Sequence, residues 1–126
     1  IAAIDQPDIG KSISLKPAQA GNIGYVRMHG RNYDAWFPAK QKDPKTLPSP
    51  GARYDYMYAE SELTEIAKIV KMVAEKSQET YVVQNNHPNG QAVANAAQLL
   101  VELGDKDIQM PESLFEAFSD LNRFCI

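Results

Sequence analysis

The chain has 126 residues, 44% hydrophobic and 23% charged, with 8 Pro and 7 Gly; this is a globular composition and excludes collagen-like, disordered and low-complexity classes. Against 13 basic residues stand 16 acidic ones, a net charge of −3, so no general basic field exists to draw in nucleic acid and any phosphate recognition is local. The one cysteine, Cys125, cannot form an internal disulfide, no apolar run reaches the roughly 18 residues of a membrane span, and no signal-peptide pattern opens the chain, so a cytoplasmic location with no membrane partner is expected.

Ile1 to Ile4 reads as a short buried strand ending at Asp5, Gln6 and Pro7, where proline removes a ladder donor. There is no initiator methionine, and a chain that opens inside a strand reads as a cut. Residues 8–22 contain Gly10, Pro17 and Gly21 and read as a loop with at most a turn of helix. From Ile23 to Gly30 the residues alternate as in a strand, with Val26 and Met28 on one face and Tyr25, Arg27 and His29 on the other. After Arg31 and Asn32, the segment Trp36, Phe37, Pro38 leads into four charged residues with Pro44, Pro48 and Pro50. This excursion is longer than ordinary connections and is of the kind used as a lid or binding loop. Tyr54, Tyr56 and Tyr58 close it. A helix capped by Ser61 follows, with Leu63, Ile66, Ala67, Val70, Val73 and Ala74 on one stripe. Thr80 to Gln84 is the next strand and runs into Asn85, Asn86, His87, Pro88, Asn89 and Gly90. A second helix begins near Gln91, buries Ala92, Ala96, Leu99, Leu100 and Leu103, and stops at Gly104. From Pro111 onward, Leu114, Phe115, Phe118 and Leu121 mark an amphipathic tail helix with proline in its first turn.

Alternating strands and helices imply an α/β fold with a parallel sheet covered by helices. In such sheets ligands bind at the carboxyl ends of the strands. Asp5, His29 and the stretch from Asn85 to His87 all fall there.

Three segments carry a family likeness: Tyr25-Val26-Arg27-Met28-His29-Gly30-Arg31-Asn32; Tyr54-Asp55-Tyr56-Met57-Tyr58 with Glu62-Leu63; and Asn85-Asn86-His87-Pro88-Asn89-Gly90-Gln91-Ala92-Val93-Ala94-Asn95. In this order they resemble the YecE-like family, a domain of unknown function. The likeness covers most of residues 1–104 and leaves the 104–126 tail outside the recognised motifs. Met28, Met57 and Gln84 depart from the pattern at strand or packing positions. The resemblance implies an eight-stranded parallel (β/α) TIM-type barrel, a fold of about 250 residues. Residues 1–126 would then be its carboxyl-terminal portion, supplying about the last three strands and their helices. Three strands cannot close a barrel, so missing sequence or another chain would complete it. The resemblance settles no activity and no cofactor, and whether the protein is an enzyme stays open. The barrel is similar to those of endonucleases and sugar isomerases, a fold analogy that suggests nucleic-acid or sugar-phosphate chemistry.

The loop from Asn85 to Gly90 is the strongest chemical signal. It joins a strand end to a helix start, where free N–H groups favour an anion, and barrels often bind phosphate after their last strands. Asn85, Asn86, Asn89 and Gly90 are candidate ligand-binding residues, beside a bland reading in which Asn89 caps the helix and the amides tie down backbone. His29 and His87 are the candidate acid–base groups. Arg31 and Asp5 complete the ligand-binding set, while Arg27, facing inward, calls for a structural partner such as Asp5. Asp5, His29 and His87 also form a conceivable metal set, but no local ligand spacing supports one and no metal is expected. Trp36, Tyr54, Tyr56 and Tyr58 either stack a ring of the ligand or pack among themselves. The expected ligand is a small phosphate-bearing or sugar-like molecule. The alternatives are a nucleic acid, which the net charge does not favour, and a non-catalytic partner-binding role.

Overall fold

In the computed structural model, which describes residues 1–8, 10, 14–37 and 48–124, the alternating segment Ile23–Met28 is the central strand, β3. Cys125 and residues 38–47 of the excursion lie outside the described residues. The strands β1 (Ala3–Asp5) and β4 (Glu79–Gln84) both run parallel to β3. A two-residue strand, β2 (Gln19–Ala20), pairs antiparallel with Ile23 and Gly24 inside the segment expected to be loop. Two residues are too few to show a hydrophobic period, which is why the sequence did not announce it. β4 pairs with β3 along its whole length, so β1 and β2 share the opposite edge. The four strands form an open sheet that is not closed into a barrel.

Register sorts the side chains. Ile4 lies opposite Arg27, Arg27 opposite Val83, and Tyr25 opposite Tyr81, so these residues share one face. Ala3, Asp5, Val26, Met28, Val82 and Gln84 share the other, which the helices α2 (Glu60–Ala74) and α3 (Gln91–Leu103) cover. There Leu63, Ile66, Ala67, Val70 and Val73 of α2 meet Ala3, Val26 and Met28 in the main core. Each fully buried Leu, Ile or Val of this set contributes on the order of 1.5–3 kcal/mol. Ala74, the last residue of the expected stripe, is exposed. Helix and sheet meet closely at Gly24, where a Cβ would stand 2.5 Å from Val73 Cγ1. Met28 and Gln84, two of the departures from the family pattern, touch each other here, with Gln84 Nε2 3.1 Å from Met28 Sδ.

Helix α2 starts before Ser61. Its N-cap is Ala59, which has no side-chain oxygen, and the Glu62 carboxylate accepts the Ala59 N–H at 2.9 Å instead. The buried face of α3 also differs from the expected one: Ala94, Asn95, Ala97, Gln98 and Leu99 are buried, whereas Leu100 is 43% exposed. A hydropathy reading places Asn95 and Gln98 outside, but here their amides are hydrogen-bonded, which makes burial affordable. The tail is a short helix, α4 (Glu112–Ala117), with Pro111 as its N-cap, followed by a 3-10 turn over Ser119–Phe124. Leu114 and Leu121 close a second small core on Ala94, with Met57 and Phe118 against it.

Candidate functional site

β3 delivers three chemical groups to the carboxyl end of the sheet, and its alternation sends them to different sides. His29 follows Arg27 on the face away from the helices. Next, Gly30 turns the chain with φ +89°, and a Cβ there would approach Tyr56 Cβ to 2.8 Å. Arg31 is thereby carried to the helix side. The residues expected to form one pocket thus fall into two groups on opposite faces.

On the helix side, Asp5 is almost fully buried, and its carboxylate accepts from Arg31 Nη2 at 2.7 Å, Arg31 Nε at 3.0 and 3.1 Å, and the Tyr58 hydroxyl at 2.6 Å. Tyr58 Oη in turn accepts the Gly30 N–H at 2.8 Å. Arg31 also donates through Nη1 to Glu62 at 2.9 Å, and Tyr56 donates to the same carboxylate at 2.8 Å. Burial alone would lower the Arg31 pKa, but Asp5 and Glu62 outweigh it and hold the guanidinium charged. Burial, then the neighbouring Glu62, pushes the Tyr56 phenol up to about 12. Tyr58 is driven above the ordinary phenol range by burial first and Asp5 second. Every charge here has a partner, so this group behaves as a structural lock joining β1, β3 and the start of α2. Asp5 is therefore the partner of Arg31 and not of Arg27, because its side chain leaves the opposite face of the sheet.

Asn86 extends the lock. Fully buried, it donates to Tyr56 O at 2.9 Å and to Asn95 Oδ1 at 2.8 Å. Asn95 Oδ1 also accepts the Tyr58 N–H at 2.9 Å, and its Nδ2 donates to Tyr58 O at 3.2 Å and Gln98 Oε1 at 2.7 Å. The end of β4, the 54–58 segment and α3 are held together by amides.

The other face carries Arg27 and His29, with Tyr54 and His87 close by. Arg27 reaches along the sheet and donates through Nε and Nη2 to Asn85 Oδ1 at 3.1 and 3.0 Å. His29 lies beside Trp36 and Tyr54, with ring centres at 6.2 and 6.0 Å, and Tyr54 lies 5.6 Å from the His87 ring. The Arg53 guanidinium sits over Tyr54 at 4.9 Å and over Trp36 at 5.5 Å. The 3-10 turn Ala52–Tyr54 holds these rings in place. Trp36, at the end of the short helix α1 (Tyr33–Trp36), donates to Arg53 O at 3.0 Å, and Asn32 donates to Ala52 O at 2.9 Å.

Protonation states follow from this geometry. His87 Nδ1 lies 2.9 Å from the Asn85 carbonyl, which can only accept. Nδ1 therefore carries a proton, and in the neutral ring Nε2 keeps its lone pair. His29 has a buried Nδ1 with no hydrogen-bond partner. Burial first, then the charges of Arg27 and Arg53, hold this imidazole below its ordinary 6.5 against a smaller opposing pull from Asp5. These effects favour the neutral ring.

Asn89 and Gly90 shape the loop's exit, at φ +56° and +79°. Asn tolerates the left-handed region and Gly prefers it. Gly90 is the N-cap of α3 and has no side-chain cap bond, so Asn89 does not cap the helix. Among the described residues no three His, Cys, Asp or Glu side chains gather to hold a metal, and Asp5 lies across the sheet from His29. No described helix is long and apolar enough to cross a membrane. Arg53 escaped the sequence reading, since one arginine beside a tyrosine has no periodicity or motif to mark it. The hydrogen-bonding roles of Tyr58, Glu62 and Asn95 escaped for the same reason.

Comparison with known proteins places these residues in a wider setting. The family described as "Protein of unknown function DUF72" matches residues 1–117, which takes in most of the tail left outside the sequence motifs. The UPF0759 protein YunF of Bacillus subtilis strain 168 is 30% identical over 99 residues, covering 76% of this chain and 33% of YunF. The crystal structure of a DUF72 family protein of Thermotoga maritima MSB8 superposes with a TM-score of 0.69 at 30% identity, covering 82% of this chain and 36% of that one. A DUF72 family protein of Enterococcus faecalis V583 superposes with a TM-score of 0.68 at 24% identity, over 87% and 40% of the two chains. The chain thus spans about a third of the length of the curated relative it matches.

Proposed function

The chain belongs to the DUF72 family of proteins of unknown function, and we propose that it binds a small phosphate-bearing or sugar-like ligand at the carboxyl ends of β3 and β4. One observation carries the reading. Among the described residues the carboxylates Asp5 and Glu62 are taken by Arg31, while the guanidiniums of Arg27 and Arg53 meet an amide and two aromatic rings. Two cations that pair with no described carboxylate, beside two imidazoles in a chain of net charge −3, form a local anion site. His29 and His87 are the groups able to move a proton there. Asn85 orients Arg27, and the positive φ values at Asn89 and Gly90 set the path of the loop into α3. Asp5, Arg31 and Asn86 support the site from behind.

The finer architecture belongs to the same proposal. The parallel β1, β3 and β4, with α2 and α3 on one face, suit a part of a (β/α) barrel of the YecE-like type, with further strands facing Arg27 and His29. A groove of about 470 Å³ between α2, β4 and α3, lined by Val82, Leu99, Leu100 and Leu103, offers apolar surface for the adjoining element. Calorimetric titration of the full-length protein with inorganic phosphate tests the binding reading. Saturable binding that Arg53→Gln weakens about tenfold supports it, and heat changes no larger than those of chloride at equal ionic strength reject it.

A further inference from the structure

The two histidines and the two arginines of this face ask for different things from a ligand. Arg27 spends Nε and Nη2 on Asn85, which leaves Nη1 for another acceptor. Arg53 lies over the Tyr54 and Trp36 rings, and among the described residues no carboxylate forms an ion pair with it. Both present donors to anionic oxygens. His87 is the reverse: the Asn85 carbonyl fixes its proton on Nδ1, so the neutral ring offers Nε2 as an acceptor at an exposed position. An acceptor lone pair repels a fully ionised phosphate oxygen and pairs with an O–H donor. Arg53 and His87 both lie against the Tyr54 ring, at 4.9 and 5.6 Å from its centre.

We infer, resting on the anion-site reading above, that the ligand is a hydroxylated phosphate monoester, a sugar phosphate by class, with its phosphate on Arg27 and Arg53 and a hydroxyl donating to His87 Nε2. Methyl phosphate, a monoester whose dianion carries no O–H, satisfies the guanidiniums and leaves His87 unused. A neutral sugar does the opposite. Phosphate affinity is set by the arginines, and preference for the hydroxylated compound is set by His87.

Titration of the full-length protein at pH 7.5 with ribose 5-phosphate, glucose 6-phosphate, methyl phosphate and free ribose separates these contributions. At least one sugar phosphate is expected to bind about tenfold more tightly than methyl phosphate, the worth of one good hydrogen bond. His87→Ala removes that gap and leaves methyl phosphate unchanged, while His87→Gln, which keeps an acceptor oxygen, retains part of it. Arg53→Gln weakens the phosphate esters in parallel. If methyl phosphate binds and neither sugar phosphate binds more tightly, or if His87→Ala weakens methyl phosphate equally, this inference is overturned and the anion-site reading stands. If no anion binds, both fall.

Discussion

Replacing Tyr58 with Phe removes one oxygen from the centre of the Asp5 lock while keeping the ring that packs on the main core. That oxygen donates to Asp5 at 2.6 Å and accepts the Gly30 N–H at 2.8 Å, and all three residues are buried. A hydrogen bond to a charged group contributes about 1.5–3 kcal/mol, and a buried N–H left without a partner costs about 1–3 kcal/mol. Asp5 keeps its bonds from Arg31, which limits the damage, so the expected loss is about 3–4 kcal/mol. Urea unfolding of the full-length protein reads this directly as a lower midpoint at unchanged slope. Phosphate affinity should not move, because Tyr58 acts on the helix side of the sheet. A loss below about 1 kcal/mol, or a variant that is stable but no longer binds phosphate, would refute the assignment of this group as a structural lock.

Glu62→Gln takes the charge from a carboxylate that serves Arg31, Tyr56 and the Ala59 N–H at once. It should cost about 1–2 kcal/mol in chemical denaturation and fray the start of α2, seen as faster amide exchange at residues 60–63. Gly24→Ala drives a methyl to 2.5 Å from Val73 Cγ1 and 2.8 Å from Ser77 Oγ and Thr80 Oγ1, and should destabilise by about 1–3 kcal/mol with a lower melting midpoint. His29 protonates less readily folded than unfolded, since its pKa is lowered from 6.5. Its contribution to stability is therefore complete above about pH 6.5 and is lost as pH falls through the folded value; His29→Gln should flatten that part of the stability–pH profile.

The parallel pairing of β1, β3 and β4 was legible because Ile23–Met28 alternates cleanly and α2 repeats its apolar residues at helical spacing. The division of the polar residues into two groups followed from the same alternation, yet it could not be read for Asp5 and Arg31. Asp5 lies one residue out of phase with Arg27 across β1 and β3, and Gly30 turns Arg31 away from the face of His29. Register between strands is a tertiary fact, and one residue of offset exchanges the faces. The buried face of α3 was misjudged where Asn95 and Gln98 replace apolar residues, because their burial depends on partners supplied by Tyr58 and Asn86. Arg53 was invisible for a related reason: its proximity to Trp36 and His29 arises from folding of the segment between β3 and α2, not from spacing along the chain.

Nitrogen–proton correlation spectra of the full-length protein, recorded while inorganic phosphate is added, test the central claim that the two faces have different jobs. The Nε–H signals of Arg27 and Arg53 and the ring nitrogens of His29 and His87 should shift saturably, while Arg31 Nε–H, locked on Asp5, stays in place. Shifts confined to Arg31, or no saturable shift at any of these groups, would contradict the account.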